Sequence, residues 1–414
     1  MANKKVKKTI KPVKDGNNHK PIGKKINLTN EKLLDTLKMM TLARAIDNQA
    51  MNFLRQGKTF FHIAGAGHEA IQAALGLQLD KENDWFFPYY RDLTLVLYSC
   101  VTPKEFFLQC FAKESDPASG GRQLPSHWGS RRNRLVSQSS PTGTQFLHAV
   151  GTALSSVKQG EKRISYVSSG EGTTSQGEFH EAVNWASREK LPVLFVVQNN
   201  KYAISVPVAE QSGGKDSSIA AMMEGFHNLK RITVNGTDFF ESYESVSEAI
   251  KYIKSGKGPA LIEAECVRLH SHSSSDDQKK YRPGEELEED LSKCPNQQLA
   301  NKLIEGGILS EQEYNDLKKK TAEEVSVIAD EALVEPDPDP NDAARYVFDE
   351  SGFNETLDYE KSEPNGSKIV MVDAINHTLH EEMKRNDKMY IFGEDIADGK
   401  GGVFTATKGL STAF

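Results

Sequence analysis

Apolar positions change their spacing several times along the chain. From Asn30 they recur every three or four residues, with Leu33, Leu34, Leu37 and Met40 on one face, which predicts an amphipathic helix. Short apolar runs then alternate with helical stretches until about Ala332, the pattern of an α/β domain whose mainly parallel sheet is flanked by helices. The clearest unit lies between Arg163 and Ser205. An apolar strand ends in Gly170-Glu171-Gly172, a helix follows, and a second apolar strand ends in Asn199-Asn200. The periodicity fails from Val334 to Gly366, an acidic, proline-bearing stretch that reads as a linker. From Ser367 the pattern predicts a helix, a short strand and a glycine-rich loop, the start of a second α/β domain. The first 25 residues carry nine lysines, no arginine and almost no apolar side chains, which predicts a disordered tail. The expected organisation is therefore a tail at 1–29, a large domain at 30–333, a linker at 334–366 and an incomplete second domain at 367–414.

Composition narrows the function. A net charge of −7 argues against nucleic acid as a whole-chain partner, and no apolar run approaches the roughly 18 residues of a membrane span. Cys100, Cys110, Cys266 and Cys294 form no C-x-x-C pair, so neither a zinc site nor a disulfide framework is expected, which fits a reducing, cytoplasmic setting. The lysine-rich tail has neither the arginines of a mitochondrial presequence nor the apolar core of a secretory signal. It reads as a solubilising tail or as a docking arm for an acidic partner.

The strand ends carry the candidate chemistry. Mg²⁺ takes hard oxygen ligands and is commonly held by one or two side chains together with phosphate oxygens. The Glu171 carboxylate, the Asn200 amide oxygen and the Tyr202 main-chain carbonyl supply such a set, on neighbouring strand ends where open α/β sheets bind ligands. Gly170 and Gly172 would let the backbone approach a diphosphate. Ser175 and Glu178 have capping-box spacing, which predicts a helix whose first amides face the anion.

GEGTTSQGEFHEAVNWA followed by NNKYAIS resembles the α component of the thiamine diphosphate-dependent 2-oxo acid dehydrogenases, with Glu171 in the acid slot of their G-D-G to N-N signature. The resemblance covers roughly residues 40–330. DAINHTLHEEM and GEDIADGKGGVF, within 367–414, resemble the opening of the β component, so an α component fused to its β component is implied. The implied fold is a thiamine diphosphate-binding one. The implied reaction is oxidative decarboxylation of a 2-oxo acid, with acyl transfer to the lipoyl group of an acyltransferase partner and homo-oligomers built through the fused halves.

By the same resemblance, Tyr90, Arg91 and Arg268 match residues that hold the diphosphate. His272 matches an active-site histidine, and His127, in GGRQLPSHWG, is a candidate for the substrate mouth. His270 matches a variable position. The segment Leu135–Gly151, with Ser140 and Thr142, matches the backbone that meets the cofactor's rings. Ser139, Pro141, Thr144 and Gln145 match potassium ligands of some relatives. Relatives carry phosphorylated serines in the loop matching Ser273.

Two positions depart from the family: His68 stands where Gln is common, and Gln198 stands where some relatives place an arginine. The acid that activates the aminopyrimidine belongs to the β component's T-P-x-x-E motif, which does not occur in this sequence. The chain alone is therefore expected to hold the diphosphate without turning over, with Glu394 the first alternative acid. NNKYAIS and HSSSDD lean towards branched-chain 2-oxo acids, with pyruvate the other reading. A non-catalytic organising subunit is the reading from another class. A Rossmann-type nucleotide site is disfavoured because GEGTTSQG lacks the G-x-G-x-x-G spacing.

Overall fold

The structure, a computed structural model, describes residues 26–347 and 366–414; the lysine-rich stretch 1–25 and linker residues 348–365 lie outside the described residues. Helices α1 (Asn30–Arg55) and α2 (Glu69–Gln78) precede strand β1 (Trp85–Phe87), and α3 (Leu93–Tyr98), α4 (Pro103–Cys110) and α5 (Thr144–Lys158) lead to β2 (Ser165–Gly170). Then come α6 (Gly177–Glu189), β3 (Val193–Asn199), a small antiparallel hairpin of β4 (Tyr202–Ala203) and β5 (Val206–Pro207), and α7 (Ile219–Met222). β6 (Lys230–Asn235), α8 (Phe239–Lys254) and β7 (Ala260–Glu265) complete the sheet, and α9 (Gly284–Ser292), α10 (Pro295–Glu305) and α11 (Glu311–Leu333) follow. The five long-sheet strands are all parallel, in the order β1-β2-β3-β7-β6. β7 enters between β3 and β6, so the strand order reverses beside β3.

The sheet has helices on both faces. Val193, Phe195 and Val197 of β3 join a cluster with Phe146 and Ala149 of α5 and Phe179 and Val183 of α6. Leu194 and Val196 join the opposite cluster, with Leu33, Leu37 and Met40 of α1, Ile71 and Leu75 of α2, and Val246 and Ile250 of α8. This is why β3 reads as a continuous apolar run: every one of its residues is buried, as a central parallel strand requires. Replacing Phe195 with Ala would cost about 3–5 kcal/mol.

The chain divides into two compact units between Ala343 and Ala344. The first residues of the expected linker are anchored to the first unit. Lys104 pairs with Glu335 at 2.7 Å, Lys113 with Asp337 at 2.7 Å, and the Glu114 N–H donates to the Pro336 carbonyl at 3.1 Å. In the second unit α12 (Met371–Arg385) forms as expected, but the short strand expected after it does not. No strand is present among that unit's described residues, and a single strand without others to pair with is not stable in water. No described helix is long and apolar enough to cross a membrane.

Candidate active site

The carboxyl ends of four parallel strands supply one polar cluster. The loop after β1 carries Tyr90 and Arg91, β2 runs into Glu171, β3 runs into Asn200, and the segment after β7 carries Arg268 and His272. Glu171 is buried, and its Oε2 accepts the Asn200 backbone N–H at 3.1 Å. The Asn200 side chain donates to His68 Nε2 at 3.2 Å, and its Oδ1 accepts the Tyr202 N–H at 3.4 Å. The Tyr202 carbonyl faces Arg268 Nη1 at 3.5 Å. The three expected metal-ligand residues therefore share one turn region. Gly172 is needed there for packing: a Cβ would sit 2.4 Å from that of Ala203 in β4. Gly170 has only an ordinary contact, with the Tyr89 ring at 3.9 Å.

The expected capping box does not form. Glu171–Ser175 is a 3-10 turn closed by the Thr174 hydroxyl, which donates to the Glu171 carbonyl at 2.7 Å, and α6 begins only at Gly177 with Gln176 in the cap position. Ser175 is thus used up inside the turn. The segment that follows Glu171 is this 3-10 turn and not the first turn of the helix.

Two arginines stand beside Glu171. Arg91 is 2 % exposed; it donates to the Ala64 carbonyl at 2.6 Å, the His272 carbonyl at 2.9 Å and His272 Nδ1 at 3.2 Å, and lies over the Tyr90 ring. Arg268 is 1 % exposed; it donates to the Ile204 carbonyl at 2.9 Å and the Tyr281 hydroxyl at 2.7 Å, and its Nε has no partner. Neither guanidinium forms an ion pair among the described residues. A buried cation without a counter-ion is costly, so this pair suits an anion that the protein itself does not supply.

Electrostatics agree. Burial pushes the Glu171 carboxyl above its ordinary range, opposed by hydrogen bonds to backbone N–H groups and by Arg91 and Arg268. Burial, then Arg91 and Arg268, lower His272 to about 3, so its imidazole is neutral and Nδ1 accepts from Arg91. Burial, then Arg91, lower His68 to about 3 as well. The His272 loop is held by Asp276, which accepts the His272 N–H at 2.8 Å and the Tyr281 hydroxyl at 2.5 Å. His270 lies on the same loop and lines a cavity of about 210 Å³ with His62, Ser271 and Ser273.

His127 and the expected potassium loop meet at this edge. His127 Nε2 lies 2.6 Å from Ser140 Oγ, and the Trp128 indole donates to the Tyr89 carbonyl at 2.9 Å. Thr144 donates to the Pro141 carbonyl at 3.2 Å, and Gln145 accepts the Gly143 N–H at 3.0 Å while donating to the Ser168 carbonyl at 3.1 Å. The potassium-type oxygens of Pro141, Thr144 and Gln145 are thus engaged within the protein; Ser139 and Thr142 lie on the same loop.

Sequence reasoning missed Asp92, the residue after Arg91. It is fully buried and accepts from Ser168, from Tyr166 at 3.0 Å and from Gln198 at 2.6 Å. The departure at Gln198 was its one signal, since a neutral amide at that position needs a partner of its own.

The sequence profile of the Dehydrogenase E1 component family matches residues 37–341. The 2-oxoisovalerate dehydrogenase subunit alpha of Bacillus subtilis (strain 168) is 40% identical over 332 residues, covering 80% of this chain and 98% of that protein. The pyruvate dehydrogenase E1 component subunit alpha of Mycoplasma pneumoniae is 33% identical over 341 residues, covering 82% and 88%. The mitochondrial 2-oxoisovalerate dehydrogenase subunit alpha of Homo sapiens is 33% identical over 316 residues, covering 76% and 70%.

Proposed function

The chain belongs to the Dehydrogenase E1 component family of oxidoreductases, and from that premise we propose that it binds thiamine diphosphate with Mg²⁺ and decarboxylates branched-chain 2-oxo acids. The observation that carries this reading is the pair of buried guanidiniums, Arg91 and Arg268, without ion-pair partners among the described residues and beside a buried Glu171. A divalent cation on Glu171 raises the positive charge further, and a diphosphate neutralises it. Glu171, Asn200 and the Tyr202 carbonyl would hold Mg²⁺, and Arg91, Arg268 and Tyr90 the diphosphate. Gly170, Gly172, Ser140 and Thr142 would lie against the cofactor, and Ser139, Pro141, Thr144 and Gln145 are the residues for K⁺ where that ion is used.

When bound, thiamine diphosphate supplies the nucleophilic carbon and the electron sink for loss of CO₂. The protein's own share is electrostatic and geometric. His272, kept neutral by burial and by Arg91, would accept or donate hydrogen bonds at the substrate without adding charge, and Arg91 fixes which ring nitrogen faces inward. His127, hydrogen-bonded to Ser140, would orient substrate at the mouth.

The acyl acceptor is the lipoyl group of an acyltransferase partner. Residues 367–414 would begin a β-type component, through which the fused chain assembles into oligomers. Its free cysteines suit the cytoplasm. Branched-chain substrate is favoured over pyruvate by the higher identity to a 2-oxoisovalerate relative than to a pyruvate one. A purely organising subunit has no need of a buried anion site.

Calorimetric titration of the chain with thiamine diphosphate, with and without Mg²⁺, tests the cofactor. Reduction of an artificial electron acceptor with 2-oxoisovalerate or pyruvate, with a β component supplied, tests the reaction. Affinity indifferent to Mg²⁺, or turnover on neither acid, would overturn the reading.

A further inference from the structure

One chain of buried amides runs behind the diphosphate arginine, and its direction is fixed at both ends. The Thr94 backbone N–H donates to Gln72 Oε1 at 3.0 Å. Gln72 Nε2 donates to Gln198 Oε1 at 2.9 Å and to the Arg91 carbonyl at 2.9 Å, and Gln198 Nε2 donates to Asp92 Oδ1 at 2.6 Å. At the far end Asp92 Oδ2 accepts from Ser168, from the Tyr166 hydroxyl at 3.0 Å and from the Tyr89 N–H at 3.3 Å. Thr94, Gln72, Gln198, Asp92, Ser168 and Tyr166 are all buried to 1 % exposure or less. No solvent is at hand to repair a broken link, and a backbone N–H at one end and a carboxylate at the other leave one polarity only.

We propose that Asp92, acting through Gln198 and Gln72, is a positioning residue that sets the Tyr90-Arg91 turn against strands β2 and β3 and so aims the Arg91 guanidinium at the diphosphate. The proposal rests on the assignment of Arg91 to that anion. Asp92 adjoins Arg91 in sequence, Gln72 holds the Arg91 carbonyl, and Tyr89 on the other side of the turn is held by Asp92 itself. Ser168 lies in β2 and Gln198 in β3, so the network ties three strand ends to one another. It also gives Gln198 a task unrelated to phosphate: both ends of its amide are engaged within the protein.

The polarity gives a test that a general packing role would fail. In Asp92→Asn an amide oxygen kept on Gln198 Nε2 turns the new NH2 group towards the Tyr89 N–H, which is left with Ser168 Oγ at 3.2 Å, and forces the Ser168 and Tyr166 hydroxyls to turn round and accept; the opposite orientation sets the NH2 group against Gln198 Nε2. Flipping Gln198 moves the conflict to Gln72, whose own flip is opposed by the Thr94 N–H. In Asp92→Asn with Gln198→Glu the last link reverses: the introduced amide donates to the introduced carboxylate, whose second oxygen accepts from Gln72, and every partner is satisfied again. The full chain and its variants are titrated with thiamine diphosphate and Mg²⁺, and amide hydrogen exchange of residues 89–94 is followed without cofactor. Asp92→Asn should weaken cofactor binding about tenfold and speed exchange in that segment. The double variant should recover affinity to within about threefold and restore protection. A double variant no better than the single one in both measurements, or a single variant matching the parent, would overturn the proposal. Arg91→Ala serves as the control: unchanged cofactor affinity there would remove the diphosphate assignment, while the exchange comparison would still decide whether Asp92 sets the turn.

Discussion

Two buried polar clusters lie side by side at the strand ends and are built on opposite principles. The Asp92 cluster is closed: a carboxylate is met by hydroxyl, amide and backbone donors. The Arg91–Arg268–Glu171 cluster is open: two guanidiniums are bonded to neutral acceptors, and Arg268 Nε has no partner. Burial raises Asp92 to about 6 even so, with its hydrogen bonds opposing the rise, but the closed cluster needs nothing from outside. The open one is an arrangement whose cost the proposed anion and cation would offset. Completeness of hydrogen bonding therefore separates scaffold from site where burial alone does not.

The largest expected effect breaks the open cluster at the Glu171 carboxylate. Glu171→Ala should lower Mg²⁺-dependent affinity for thiamine diphosphate on the order of a hundredfold or more, measured by calorimetry, while the unfolding temperature of the cofactor-free chain stays within a few degrees. Retained affinity would remove Glu171 from the site.

A charge added beside the open cluster should act next most strongly. Ser273 lies next to His272 in the loop that Asp276 holds, and a negative group there competes for Arg91 and repels Asp276. Ser273→Glu should lower turnover of the complete enzyme roughly tenfold, and Ser273→Ala should leave it near the parent value. Equal rates for the two variants would show that the loop tolerates charge.

The two clusters should also answer oppositely to loss of a polar group. Tyr166→Phe removes a buried donor to Asp92 and should destabilise the fold by about 1–2 kcal/mol in urea unfolding. Arg268→Gln removes a buried charge that has no ion-pair partner among the described residues, and should leave the cofactor-free chain as stable as the parent or more so, while weakening cofactor binding. Equal destabilisation by both would erase the distinction between closed and open.

The last effect is read as a slope against pH. His68 is lowered to about 3, so the neutral-imidazole stability is complete above pH 6.5 and is lost as pH falls through that range towards 3. Asp92, raised to about 6, works the other way: its contribution is complete below about pH 4 and is lost as pH rises through 6. His68→Gln should flatten the acid limb of the stability curve by up to about 1.4 kcal/mol per pH unit. An unchanged slope would mean that His68 does not titrate with unfolding.

Patterning along the chain determined the α/β architecture, because the period of apolar residues reports which face a backbone must bury. Leu33, Leu37 and Met40 are fully buried, and β3 is buried along its whole length. The candidate site was legible for a related reason: Glu171 and Asn200 are fixed by the strands that end at them, and the strand ends lie together because the strands are parallel neighbours. What sequence left open depends on residues far apart in the chain. The serine-x-x-glutamate signature forms a capping box at Ser310 and Glu313, where Ser310 itself is extended and free to cap. The same signature fails at Ser175 and Glu178, where Glu171–Ser175 is already wound into a 3-10 turn. Apart from the departure at Gln198, Asp92 gave no sign of its role, since its partners Tyr166, Ser168 and Gln198 come from two other strands. A local pattern chooses the element, but a buried polar group needs partners, and only the tertiary structure decides which distant segments supply them.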